Sequence, residues 1–135
     1  MPLLDAALEY AVREWLEIAD GDLDAAERLA PVPRHYRRVG FNAQQAIEKY
    51  AKAVLAICGV SFARTHDLLQ LLSALYPAVQ FSNVELEAAA TLIPFAVVWR
   101  YPQDSDPDEL PVSQLLDFAY LLRERLRPLI VAALV

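Results

Sequence analysis

Between Ala43 and Ile57 the apolar residues return every three or four positions: Ala43, Ala46, Ile47, Tyr50, Val54 and Ile57. At 100° per residue they fall on one face, which is the spacing of an amphipathic α-helix and not of a strand. The opposite face carries Gln44, Gln45, Glu48, Lys49 and Lys52, with Glu48 and Lys52 in the favourable i,i+4 order. This helix is predicted from about His35 to Cys58, with Gly59 placed to end it. Phe41 and Leu55 project towards the polar side. Apolar residues among hydrogen-bonding ones point to a covered surface, so Phe41, Lys52 and Leu55 are the candidates for a dimer interface.

The same period holds along the chain, and only 3 glycines interrupt it. A first helix is predicted from about Leu3 to Leu29, with Leu4, Leu8, Ala11, Trp15 and Ile18 on its apolar stripe and Leu23 and Ala26 roughly continuing it. Gly21, flanked by Asp20, Asp22 and Asp24, marks a bend or a break, and Pro31 and Pro33 end the helix. "RTHDLLQLLSAL" announces a short helix capped by Thr65, with Asp67 in its first turn and Leu68, Leu69, Leu72 and Leu75 towards the core. Pro77 closes it. Another helix runs from Ser82 or Asn83 to about Arg100 with a kink at Pro94. The last runs from about Val112 to Leu126, where Pro128 bends or ends it before the apolar tail "LIVAALV". Long helices with short connections predict an all-α chain: an antiparallel up-and-down four-helix bundle with an additional short helix, in a single domain over residues 1–135.

Hydrophobic residues make up 56% of the chain, and the mean hydropathy is +0.25. For a chain of this size that predicts apolar surface buried against another chain. Asp5 and Glu9 are wrong for a signal peptide, and the uncharged stretch Ala88 to Trp99 is too short to span a bilayer. No membrane association and a cytoplasmic location are therefore expected. Cys58 is the only cysteine, which excludes an internal disulfide, and its place on the apolar side reads as a small core residue.

The net charge of −6 makes the chain a poor general binder of nucleic acid. Its charges are segregated, however. Arg34, Arg37 and Arg38 cluster around His35 and could hold a phosphate, or simply form the solvated start of a helix. A second basic cluster is Arg123, Arg125 and Arg127. His35 and His66 are the only histidines, and neither stands in an HExxH or Glu-x-x-His pattern. No metal site and no cofactor are expected. No GxSxG or phosphate-loop motif is present. His66 and Asp67 either cap their helix or join the Gln44/Gln45 side of the second helix in a polar cleft. "FAVVWRYPQDSDPDEL" ends a buried-looking run on Arg100 and Tyr101, with Trp99 on the core side.

"FNAQQAIEKYAKAVLAICGVSFARTHDLLQLL", followed by "VVWRYP" and preceded by "REWLEIADGDLDAAERL", resembles the HEPN domain family over nearly the whole chain. The resemblance implies a four- or five-helix bundle that pairs as a homodimer. It also implies a minimal nucleotidyltransferase as partner, in pairs several of which act as toxin and antitoxin. Active members are metal-independent RNases whose motif is Arg, then four to six residues, then His. Arg100 matches the arginine, but Ser105, Asp106 and Pro107 stand where the histidine belongs, and no histidine follows His66. An ordinary aspartate is a poor proton donor near neutrality. Asp104, Asp106, Asp108 and Glu109 would also repel a phosphodiester.

The resemblance therefore leans away from an enzyme, towards a binding or interaction subunit. Its cleft for nucleotide or RNA phosphate would be lined by Gln44, Gln45, Glu48, Lys49, His66, Asp67, Arg100 and Tyr101. Arg100 would grip phosphate, Tyr101 would stack on a base and the amides would read its edge. The alternatives are an RNase with a divergent centre built on Arg100 and His66, and a purely structural adaptor.

Overall fold

The computed structural model describes residues 4–62, 64–98 and 110–135. Arg100, Tyr101, Trp99 and the acidic stretch after them lie outside the described residues. The order of elements is α1 (Ala6–Leu29), a 3₁₀ turn (Pro33–His35), α2 (Tyr36–Ile57), α3 (Leu68–Ala74), α4 (Asn83–Leu92), α5 (Phe95–Val98) and α6 (Val112–Ala133). No strand occurs among the described residues. The fold is all-α: α1, α2, the α4–α5 pair and α6 form the bundle, and α3 flanks it.

Side-chain pairs fix the helix directions. Asp20 meets Arg127, and Arg13 reaches the carbonyl of Leu134, so α1 and α6 are antiparallel. Asp20 also meets Tyr50, and Trp15 lies beside Lys52, so α1 and α2 are antiparallel too. α2 is the central element, packed on α1, α3, α4, α5 and α6. Its expected apolar face is buried throughout: Ala43, Ala46, Ile47, Tyr50, Val54 and Ile57.

The enclosure goes further than an amphipathic pattern predicts. Gln44, Gln45 and Glu48, assigned to the polar face, are buried as well. Leu55 is fully buried in this chain's own core, which corrects its assignment to a dimer interface. Leu55 stands where this helix packs on the chain's own elements, so no surface is left there for a partner.

Local chemistry sets the ends. Asp5 caps α1 by accepting from the Leu8 N–H at 2.8 Å. Ser82 and Glu85 form a reciprocal capping box at the start of α4. Gly59, at φ +70°, ends α2 as expected: the Val60 N–H bonds to the Leu55 carbonyl and the Gly59 N–H to the Ala56 carbonyl. Cys58 is exposed at this cap and is not a core residue. α3 is capped by Asp67, not Thr65. The Asp67 carboxylate accepts from the N–H groups of Leu69 and Gln70, while Thr65 accepts from the Asp67 N–H. A carboxylate at a helix N-terminus gains from the dipole as well as from the bond.

Other expectations shift by physical necessity. α1 runs unbroken through Gly21. Its stripe is rotated, burying Val12, Ala19, Leu23 and Ala26 and leaving Ile18 44% exposed; small residues at the α2 seam let the helices approach. In α3, Leu71 is buried and Leu69 only partly so. Pro94 separates α4 from α5 outright, with the tight turn Ala96 N–H to Ile93 carbonyl between them. Pro128, by contrast, is accommodated inside α6, which continues to Ala133. Leu126 and Ile130 on either side of it are fully buried, and that packing outweighs the proline penalty of roughly 3 kcal/mol.

Arg123, Arg125 and Arg127 do not form one basic patch: Arg123 and Arg127, four residues apart, share a face and line one cavity, whereas Arg125 between them points to the other side of the helix. Arg127 grips both oxygens of Asp20 at 2.9 Å, and Asp20 also accepts from the buried Tyr50 hydroxyl. Burial raises the Asp20 pKa, but the bonds from Arg127 and Tyr50 outweigh it and hold the carboxyl below its usual range. Arg125 grips Glu85 and the Gln80 carbonyl. Arg123 lies 4.8 Å from the Tyr120 ring centroid. Arg127 thus ties α6 to α1 and Arg125 ties it to the start of α4, while Arg123 contacts Tyr120 and Glu124 of its own helix.

Two glycines should respond in opposite directions. A Cβ at Gly40 would overlap the Phe95 ring, and that ring is buried edge-on to Tyr36. Gly40→Ala is expected to destabilise by about 1–3 kcal/mol despite alanine's better helix propensity. A Cβ at Gly21 meets nothing within 4 Å, so Gly21→Ala is expected to stabilise by about 0.5–1 kcal/mol. Urea denaturation of the two variants reads both signs.

Candidate functional site

About two and a half turns of α2 place Gln44, Gln45, Glu48, Lys49 and Lys52 in one chain of hydrogen bonds. Lys49 Nζ donates to the side-chain oxygen Gln45 Oε1. The Gln45 amide donates to Gln44 Oε1 at 2.7 Å. Both Gln44 amide hydrogens are then used, towards Glu48 Oε1 at 3.2 Å and the His66 carbonyl at 3.1 Å. Lys52 donates to Glu48 Oε2 at 3.0 Å, and His66 Nδ1 lies 2.8 Å from Glu48 Oε1. The donors are arranged so that the chain ends on Glu48.

A carboxyl that collects bonds from an amide, an ammonium and an imidazole must be an ionised acceptor. Glu48 is only 2% exposed. Burial pushes its pKa up, yet the bonds from His66, Lys52 and Gln44 and the charge of Lys52 outweigh that and hold it below its ordinary value. Because ionised Glu48 cannot donate, His66 Nδ1 is the donor of that pair. No buried side-chain nitrogen or oxygen among the described residues lacks a partner, so the cost of an unsatisfied buried group does not arise here. Asp22, 3.9 Å from Lys49, is pushed the other way: burial raises its pKa, and Lys49 only partly offsets this.

The network opens to solvent at one end. The His66 side chain remains 56% exposed. It lines a groove of about 480 Å³ with Trp15, Lys52, Phe62, Arg64 and Thr65. Lys52 also lies 5.9 Å from the Trp15 ring centroid, within cation–π range. The groove joins α1, α2 and the connection between α2 and α3.

Of the residues singled out from sequence, the structure brings together Gln44, Gln45, Glu48, Lys49, Lys52 and His66. Asp67 serves its own helix as N-cap. Phe41 and Arg38 line a separate cavity of about 260 Å³ with Leu29 and Asn42. Arg34 is exposed on the 3₁₀ turn and Arg37 is half-buried at the start of α2. Arg100 and Tyr101 lie outside the described residues. Among those described, no group of three or more His, Cys, Asp and Glu side chains gathers as a metal ion requires, and no helix is long and apolar enough to cross a membrane.

The sequence matches the HEPN domain over residues 12–128. The chain belongs to the HEPN domain family. Its fold is similar to TT1696 from Thermus thermophilus, with a TM-score of 0.76 and 28% identity over 87% of this chain and 97% of that one. It also matches ST0689, an archaeal HEPN homologue, with a TM-score of 0.68 and 22% identity over 88% of this chain and 97% of that one. No functionally curated protein shows a significant match.

Within this HEPN chain, sequence reasoning left Trp15, Phe62, Arg64 and Thr65 out of the site. Trp15 falls on the apolar stripe of α1 and reads as core. Arg64 and Thr65 immediately precede His66, and their adjacency in "ARTHDL" was the available signal.

Glu48 sets an acid dependence. Its folded pKa is depressed, so its stabilisation is fully present above the ordinary value of 4.5 and is lost as pH falls through the folded value. Asp20 and Glu85 act in the same direction, and Asp22 opposes them. Glu48→Gln is expected to flatten the fall in thermal midpoint below about pH 4.5. Glu48→Ala, which leaves Lys52 buried without its anion, should cost about 3–5 kcal/mol at neutral pH. Denaturation measured across a pH series checks both.

Proposed function

We propose that this HEPN protein is a dimeric binding and interaction subunit that holds a nucleotide or an RNA phosphate at the Glu48–His66 cleft. We propose further that it acts in the cytoplasm as the partner of a minimal nucleotidyltransferase, in a pair of the toxin–antitoxin type. The observation that carries the binding reading is the buried, fully bonded Glu48 holding an exposed imidazole at a groove lined by Arg64 and aromatic side chains. A network that served stability alone would not need to leave that ring in solvent. The apolar content of the chain supports the dimer, and of the interface candidates Phe41 is the one that keeps partial exposure without belonging to the Glu48 network.

A second reading, a metal-independent RNase with a divergent centre, draws on the same pair, since a carboxylate-bound histidine is a common acid–base arrangement. The missing histidine after Arg100 weighs against it. A purely structural adaptor is the third reading.

Light scattering on the purified protein is expected to give the mass of two chains. Titration with AMP and with short RNA, followed by amide NMR, should perturb His66 and Arg64 at millimolar ligand or below. A flat titration leaves the adaptor. Cleavage of RNA that is lost in Arg100→Ala and His66→Ala would establish the nuclease instead. Capture from the native host should bring down a small nucleotidyltransferase.

A further inference from the structure

We infer that the groove beside His66 selects a small phosphomonoester over an RNA strand, and that Glu48 is the positioning residue that makes this possible. The inference rests on the nucleotide-or-RNA reading of the same cleft. Glu48 engages His66 Nδ1 at 2.8 Å, which directs the other ring nitrogen, Nε2, away from the buried carboxylate. The ring is more than half exposed and lines the groove, so Nε2 is the nitrogen a ligand meets. The backbone is held as well, because Gln44 donates to the His66 carbonyl. The ring therefore has a fixed origin and a fixed direction, and the entropy of ordering it is spent before a ligand arrives.

The charges around the ring can be assigned one by one. Glu48 and Lys52, both from α2, neutralise each other at 3.0 Å. Asp67, the next residue, turns its carboxylate to the α3 N–H groups. Trp15 from α1 is uncharged. Arg64 is exposed and has no ion pair among the described residues. Arg64 is thus the charge left to meet an anion, and His66 Nε2, unprotonated in the neutral ring whose Nδ1 donates to Glu48, stands beside it as an acceptor for a proton-bearing oxygen, with the Thr65 hydroxyl between them in sequence.

An arginine fork beside an accepting ring nitrogen suits the clustered oxygens of a terminal phosphate, whose P–O–H the nitrogen accepts and which the diester links of RNA lack. A strand of RNA offers one charge per phosphate, spread along its length. Trp15 and Phe62 give apolar walls for one flat ring, and about 480 Å³ is the scale of a small-molecule site. A strand would need a basic track leading out of the groove, and the chain's net charge of −6 provides no general one.

The test uses the full chain, with phenyl phosphate, AMP, and a short single-stranded RNA bearing hydroxyls at both ends, each titrated by calorimetry and amide NMR. The two monoesters are expected to bind at least about tenfold more tightly than the RNA. His66→Asn keeps an amide nitrogen where Nδ1 stood but has nothing at Nε2. It should retain the wild-type thermal midpoint and lose roughly tenfold to a hundredfold in monoester affinity. Arg64→Ala should lose a similar factor. His66→Gln, whose amide reaches the Nε2 position, should recover part of the affinity even where its midpoint falls.

RNA bound as tightly as AMP would overturn the monoester assignment while leaving the broader binding reading intact. AMP binding unchanged in both His66→Asn and Arg64→Ala would overturn the placement in this groove. No binding of any of the three ligands would defeat the binding reading itself, and this inference with it.

Discussion

The organising interaction is the buried carboxylate of Glu48 in the middle of α2. A carboxylate so enclosed is costly unless its lone pairs are used, and here Gln44, Lys52 and His66 use them. Those bonds reach beyond the helix. Through His66 they hold the connection that leads into α3, and Lys52 stands next to Trp15 of α1. The central helix can be enclosed on several sides because its polar side chains are satisfied by one another and by His66. The groove follows from the same arrangement, since it lies where the connection held by Glu48 meets α1.

A second carboxylate does comparable work at the other seam. Asp20 receives the buried Tyr50 hydroxyl and the Arg127 fork, joining α1, α2 and α6. Its partners come from helices far apart in sequence, whereas most of Glu48's come from its own helix. The first kind of contact fixes the bundle, and the second fixes what the bundle presents. Arg125 and Glu85 add the tie between α6 and the start of α4. Arg125 and Arg127 of α6 are committed to α4 and α1, while the groove beside His66 presents Arg64 and an exposed imidazole.

Much of the architecture was legible in the sequence, because the signals were local. The period from Ala43 to Ile57, the cap at Gly59 and the interruption at Pro94 each depend on a few neighbouring residues. The register of α1 was not, since Ile18 and Ala19 are both apolar and only the closeness of α2 decides between them. Pro128 misled for a related reason: tertiary burial of Leu126 and Ile130 overrides a local helix breaker. The polar face of α2 was read as a covered surface, but its enclosure by this chain's own elements was not legible, because a helical wheel does not show how many neighbours a helix will have. Leu55 was misplaced for the same reason. His66 joined the site across a long sequence separation, and Trp15, Phe62 and Arg64 came with it only once α1 and the connection were in place.

The most direct measurement is the tautomer of the His66 ring, read from long-range ¹⁵N–¹H correlations of the imidazole in the folded protein. Neutral His66 is expected to carry its proton on Nδ1, donated to Glu48, with Nε2 bare towards the groove. Glu48→Gln is expected to disturb this preference. A ring protonated on Nε2 in the wild-type chain, or one unaffected by removing the Glu48 charge, would contradict the claim that Glu48 builds and aims this site.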